Sequence, residues 1–208
     1  KNQIKFELLT RAALNFYNTF LRKLYDTKAF NLLTPSPVIP SDWIDTKGFP
    51  KLGSSEANNH LIVLANYVCE SCKLLNKELA DLFTKYGPNN LEITFIPIGN
   101  SMGAEAQLNK ASMCVFEQDI DLFWKFHIAL INEIQKHPKL SKENDNNKIN
   151  DIILKVSSGT SINRDKFNLC ISNKNVELDT RISQIKIRFN FLDTSSLPIF
   201  ILNNSKLD

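Results

Sequence analysis

Leu61-Ile-Val-Leu-Ala-Asn-Tyr-Val-Cys-Glu-Ser-Cys72 is the stretch from which the rest of this chain can be read. An apolar run of β-branched and aliphatic residues, Leu61–Ala65, feeds two cysteines spaced C-x-x-C. The residues that follow, Lys73-Leu-Leu-Asn-Lys-Glu-Leu-Ala-Asp-Leu-Phe83, repeat apolar positions at helical spacing. A buried strand, a dithiol and a helix in that order suit redox chemistry. The first cysteine falls at a helix start, where unpaired backbone N–H groups and the helix dipole favour a thiolate. The thiolate is the attacking species in disulfide exchange, and a second cysteine one turn further on can release the mixed disulfide. Structural zinc requires four ligands, usually two such pairs or a pair plus two histidines. Cys114 and Cys170 stand alone, and His60, His127 and His137 form no close pair, so the spacing argues against a metal.

Working outward, Gly87-Pro88-Asn-Asn90 is a helix stop and turn, and Leu91-Glu-Ile-Thr-Phe-Ile-Pro-Ile98 reads as a second strand. Strand, helix and strand make a βαβ unit, which predicts a parallel pair with a right-handed crossover. On the amino-terminal side, residues 31–56 carry Pro35, Pro37, Pro40 and Pro50 and read as an extended linker, with a short strand near Trp43–Phe49. Before it, residues 3–30 form an amphipathic pattern: Ile4, Leu8, Ala12, Phe16, Phe20 and Leu24 recur at i+4. Its wide aromatic face predicts a helix that packs on its own domain or joins two copies of the chain. On the carboxy-terminal side, residues 102–190 are mostly helical: Met102–Gln118, Ile120–Lys136, Ile149–Val156, Asn163–Ser172 with Asn163 as N-cap, and Val176–Asn190. Ser195-Ser-Leu-Pro-Ile-Phe-Ile-Leu202 is a turn into a buried strand that ends at Asn203-Asn204. Pro198 cannot donate to a ladder and therefore opens that strand.

Composition sets bounds. The chain has 208 residues, 43% hydrophobic and 23% charged, as expected of a globular domain with one core and an insertion. A net charge of +3, dispersed along the chain, gives no footprint for nucleic acid. No apolar run reaches the roughly 18 residues of a membrane span.

Four segments in order resemble the DsbA-like family of thiol–disulfide oxidoreductases, a thioredoxin fold with a helical insertion. They are Leu52-Gly-Ser-Ser-Glu-Ala57 with the strand and Cys69-Glu-Ser-Cys72, Ala111-Ser-Met-Cys114 through Leu122-Phe-Trp-Lys-Phe-His-Ile-Ala-Leu130, Asp165-Lys-Phe-Asn-Leu-Cys170, and Leu197-Pro-Ile-Phe-Ile-Leu-Asn203. The likeness spans about residues 50–207. It implies an α/β, thioredoxin-like fold: a central mixed sheet over 57–101 and 191–208, a helical insertion over 102–190, a linker over 31–56 and an added helix over 1–30. It implies catalysis by Cys69 and Cys72 on protein thiols or disulfides, with no cofactor and no metal. It also implies that Leu197 and a cis Pro198 present a backbone edge to the substrate, that the location is periplasmic or extracytoplasmic, and that a membrane redox partner recycles the pair. Cys114 and Cys170 are either two buried thiols or a structural disulfide, and relatives favour the bond.

Three departures qualify the likeness. The dipeptide is Glu70-Ser71, without the Pro-His frequent in strong oxidants of the family, and a carboxylate beside a thiolate opposes its charge. Leu197 stands where Thr or Val is usual. The family's edge strand and last helix are expected beyond Asp208 in a longer polypeptide, the alternative being that the amino-terminal helix covers that face. Besides the oxidase reading, an isomerase or reductase, the redox domain of a larger membrane protein, and a non-catalytic scaffold remain as alternatives. Among single residues, His127 reads as a packed helix residue and His60 and His137 as exposed. The alternation along its strand places Glu92 toward solvent rather than as a buried proton carrier.

Overall fold

The structure is a computed structural model that describes residues 44–73, 75–99, 103–138, 140, 145–173 and 197–207. The expected helices over 3–30 and Val176–Asn190 lie outside these residues, as does the linker up to Trp43.

Among the described residues five strands form one mixed sheet in the order β1-β3-β2-β4-β5. They are β1 Lys51–Leu52, β2 Asn59–Ala65, β3 Leu91–Pro97, β4 Ile199–Leu202 and β5 Ser205–Leu207. β2 and β3 run parallel in the register Leu61↔Ile93 and Val63↔Phe95, as the βαβ reading predicts. β4 adds antiparallel to β2, with Leu61 opposite Leu202. The expected strand near Trp43–Phe49 is instead the two-residue β1, antiparallel to β3. Pro50 ends the irregular segment before it, and its carbonyl accepts from Phe95 N at 3.0 Å. The edge strand expected past Asp208 is already present as β5. Asn203 and Asn204 both adopt positive φ, 48° and 66°, and so form a two-residue turn that reverses the chain at once. Asparagine tolerates that region better than most residues, which is why Asn-Asn closes a hairpin here.

Between β2 and β3 runs the helix of the dithiol, α1 Glu70–Lys73 followed by α2 Leu75–Tyr86. Between β3 and β4 lie α3 Ala104–Phe116, α4 Ile120–Ile134, α5 Asn146–Ser158 and α6 Arg164–Ser172. Side-chain caps set three of their starts: Asp119 accepts from Leu122 N, Asp145 from Asn147 N and Lys148 N, and Asn163 from Lys166 N. No helix among the described residues is long and apolar enough to cross a membrane.

Both faces of the sheet are buried. One face contributes Leu61, Val63, Ile93, Phe95, Phe200 and Leu202 to the main core, with Leu108, Phe123, Phe126, Leu130 and Ile152 from the helices. The other contributes Leu64, Ile96, Ile199 and Ile201 to a second cluster with Phe49 and Met113. Gly53 lets β1 approach β3: its φ is 107°, and a Cβ there would fall on the Leu91 carbonyl oxygen.

The double burial corrects the expectation for Glu92. Every residue of β3 is buried, and the Glu92 side chain is only 5% exposed. Alternation indicates solvent exposure only when one face of a sheet is wet, and strands with a parallel partner are commonly covered on both. Lys51 Nζ lies 3.2 Å from Glu92 Oε1 and compensates the carboxylate, and His60 Nδ1 lies at the same distance. Glu92 pairs with His60 at the start of the strands, whereas the dithiol follows their ends. At roughly 3.3 Å per residue the separation is too large for proton transfer to the cysteines.

Candidate active site

The redox loop is built from Asn66 onward. β2 ends at Ala65, and Asn66 Oδ1 accepts from Val68 N at 3.0 Å and from Cys69 N at 2.6 Å. This side-chain turn fixes the loop between the strand and the dithiol helix. Cys69 and Cys72 are joined by a disulfide, with Cα atoms 5.1 Å apart. The backbone N–H of Cys72 donates to Cys69 Sγ at 3.1 Å. Cys72 is buried at 5% exposure, while Cys69 is only partly covered. The two sulfurs are therefore unequal: one faces outward and receives a backbone donor, the other sits within the core.

Across from them the Leu197–Pro198 peptide bond is cis, and Leu197 O lies 3.4 Å from Cys69 Sγ. The strand that starts at Ile199 thus begins directly beside the outward sulfur. Ser71 is exposed on the same turn of helix.

Beneath the loop lies an aromatic layer. Tyr67, two residues before Cys69, is buried and its hydroxyl is 2.9 Å from His127 Nδ1. His127 sits among rings: Phe95 at 4.6 Å between centroids, Tyr67 and Phe123 at 5.4 Å, and Trp124 at 5.5 Å. Burial pushes its imidazole down to about 3, so it is neutral at physiological pH. Burial raises the Tyr67 phenol, opposed by a hydrogen bond with Ser112. His127 is therefore the packed helix residue that its aromatic neighbours predict, and it anchors the residues before the dithiol rather than exchanging protons with it. His60 is exposed and His137 is half-buried beside Glu133, at 3.6 Å. No cluster among the described residues could hold a metal ion.

Cys114 on α3 and Cys170 on α6 are joined by a second disulfide, with Cα atoms 5.7 Å apart. Cys114 is 2% exposed. The bond closes the helical insertion on itself.

Two residues of this site went unread in the sequence. Asn66 falls at the end of the strand in the sequence reading, yet an asparagine that leads out of a strand is a side-chain turn signal in its own right. Glu105, whose Oε1 accepts from Asn66 Nδ2 at 3.4 Å, comes from the first turn of α3. No spacing rule links positions so far apart.

A thioredoxin family model matches residues 45–208, and the chain belongs to that family. Its fold is the DsbA-like form, the sheet interrupted by a helical insertion. Similar solved structures include the thiol-disulfide exchange protein alpha-DsbA2 from Wolbachia pipientis, with 19% identity, 80% of this chain and 82% of that one covered, and a TM-score of 0.63. BdbD from Bacillus subtilis matches with 18% identity, coverage of 84% and 90%, and a TM-score of 0.63. A thioredoxin-like oxidoreductase from Silicibacter pomeroyi matches with 16% identity, coverage of 80% and 87%, and a TM-score of 0.61. The sequence matches no curated protein at a significant level.

Proposed function

We propose that this protein is a thiol–disulfide oxidoreductase that acts on protein substrates through Cys69 and Cys72. The observation that carries this reading is the asymmetry of the pair. Cys69 Sγ is the outward sulfur, it receives the Cys72 N–H, and it faces the backbone at Leu197–Pro198. In the oxidising direction a substrate thiolate attacks Cys69 Sγ. The Cys69–Cys72 bond breaks, Cys72 leaves as a thiolate, and a mixed disulfide forms. A second substrate thiolate then attacks the substrate sulfur of that mixed disulfide and expels Cys69. The substrate loses two electrons and the pair gains them. The reducing direction runs these steps backwards, with Cys69 thiolate as nucleophile and Cys72 resolving.

Leu197 and Pro198 present a backbone edge on which an extended substrate lies. Glu70-Ser71, between the cysteines in place of Pro-His, makes the pair less oxidising: it brings a carboxylate beside Cys69 and lacks the imidazole that would donate to a thiolate. The chemistry needs neither a metal nor an organic cofactor. It does need a protein partner that resets the pair: a membrane oxidant for the oxidase direction, or an electron donor for the isomerase and reductase directions. An extracytoplasmic location suits both this chemistry and the second disulfide. Residues 3–30 supply the surface for self-association, which suits an isomerase because two sites then face one cleft.

The test is insulin reduction in the presence of dithiothreitol, with Cys69→Ser as control. Catalysed precipitation by the wild type and none by the variant supports the reading. Identical behaviour of the two sinks it and leaves a disulfide-stapled scaffold.

A further inference from the structure

The hydrogen bond from Asn66 to Glu105 links the redox loop to the helical insertion, and that link has chemical content. Asn66 spends its acceptor on Val68 N and Cys69 N and its donor on Glu105 Oε1. Asn66 itself is only 8% exposed, so the contact lies inside the fold. Glu105 is walled in on its other side. α3 lies so close to Gly99 that a Cβ there would meet Glu105 Oε2 at 2.9 Å and Asn109 Nδ2 at 3.1 Å. A side chain at position 99 would push the carboxylate away from Asn66. Glycine at the end of the β3 segment thus allows α3 to deliver a carboxylate to the back of the loop that holds Cys69.

We propose that Asn66 and Glu105 are positioning residues that tune the acidity of Cys69 and hence the redox poise of the pair. Asn66 fixes the peptide planes so that the N–H of Cys72 addresses Cys69 Sγ. Glu105 places a negative charge one side chain away from that loop. A nearby anion disfavours a thiolate, and half-buried charges are weakly screened. The arrangement therefore holds the Cys69 thiol less acidic than its backbone donor alone would make it, and it stabilises the disulfide relative to the dithiol. The helical insertion, on this account, contributes to the chemistry as well as to the shape of the molecule. The inference rests on the proposed redox role of the pair, and its test separates the two.

The experiment uses the full chain and small-molecule reagents only. The Cys69 thiol is titrated by thiolate absorbance against pH, and the pair is equilibrated with glutathione buffers. Glu105→Gln keeps an acceptor for Asn66 Nδ2 and removes the charge. Its thiol is expected to titrate about half a unit lower, and above that pH its glutathione equilibrium to move about threefold toward the dithiol. Asn66→Asp keeps the acceptor for both N–H groups and brings a second carboxylate to the loop, so its thiol is expected to titrate higher. Thermal melts of both variants show that the fold is retained. Opposite shifts in the two variants support the proposal. A Glu105→Gln titration within about 0.1 unit of wild type, or shifts of the same sign in both, overturns it. A wild-type pair that fails to equilibrate with glutathione at all would instead defeat the redox reading on which the inference rests.

Discussion

Two disulfides lie in this one chain, and they differ in almost every respect but the bond. Cys69–Cys72 spans 3 residues at a strand-to-helix junction, with one sulfur outward and a backbone donor aimed at it. Cys114–Cys170 spans 56 residues, ties α3 to α6, and has Cys114 sealed in the core. The first closes a ring too small to restrain an unfolded chain much; the second removes a large loop from the unfolded ensemble. One is placed for exchange and the other for stability. Access and local donors, rather than the presence of a disulfide, separate the two.

The sharpest way to break that contrast is to exchange the cysteines for inert residues. Cys69→Ser is expected to lower insulin-reduction activity by about 100-fold or more, because no other thiolate occupies its place. The double variant Cys114→Ala with Cys170→Ala is expected to retain the reduction potential of the first pair. Loss of its activity in step with Cys69→Ser would end the division of roles. The same double variant should lose about 4 kcal/mol of stability by the chain-entropy estimate, with a Tm lower by roughly 10 °C in calorimetry. A melt unchanged from wild type would show that the second bond staples nothing.

Smaller effects come from the buried groups beside each bond. His127, under the redox loop, is neutral in the folded protein down to about pH 3, whereas the unfolded chain takes up a proton below its ordinary value near 6.5. Folding is thus penalised progressively as pH falls from about 6.5 toward 3. His127→Gln keeps an acceptor for the Tyr67 hydroxyl and should flatten that part of the stability–pH profile in urea titrations, at a cost of about 1–3 kcal/mol near neutrality.

The smallest effect belongs to the insertion. Lys136 Nζ at 2.8 Å and Lys155 Nζ at 2.7 Å hold the Glu133 carboxyl well down, at about 2. A depressed carboxylate stabilises above its unfolded value and loses that contribution as pH falls toward its folded one, so the window is about 4.5 to 2. Glu133→Gln should reduce the slope there and leave the range near pH 6 unchanged, which distinguishes it from His127→Gln.

Much of the sheet was legible because its rules are local. Leu61–Ala65 and Leu91–Ile98 are continuous apolar runs on either side of a helical pattern, and such a unit has one common solution. Asn163 announced its helix because capping acts over three residues. Glu92 was misread because alternation presumes one wet face, and the second cluster around Leu64, Ile96 and Ile201 covers that face. β5 is hidden in the sequence because Asn203-Asn204 reads as an ending, although two consecutive left-handed asparagines also make a hairpin. At the site, the cysteines and Pro198 were visible as types with few alternative uses. Asn66 and Glu105 were not, since their partnership depends on how closely α3 approaches Gly99.

The long bond from Cys114 to Cys170 also changes what the chain has to travel. β4 pairs with β2, with Leu61 opposite Leu202, so the sheet is completed by a segment that follows the whole insertion. Without the bond, β3 and β4 come to flank β2 only by closing the entire stretch between them. With it, the path along the covalent network bypasses the residues between α3 and α6, and the effective loop is roughly halved. Closure entropy varies with the logarithm of loop length, so the equilibrium gain from that shortcut alone is under about 1 kcal/mol. The larger consequence is kinetic: fewer non-local steps separate the collapsed chain from a finished sheet, and β2 spends less time as an open edge that another chain could join.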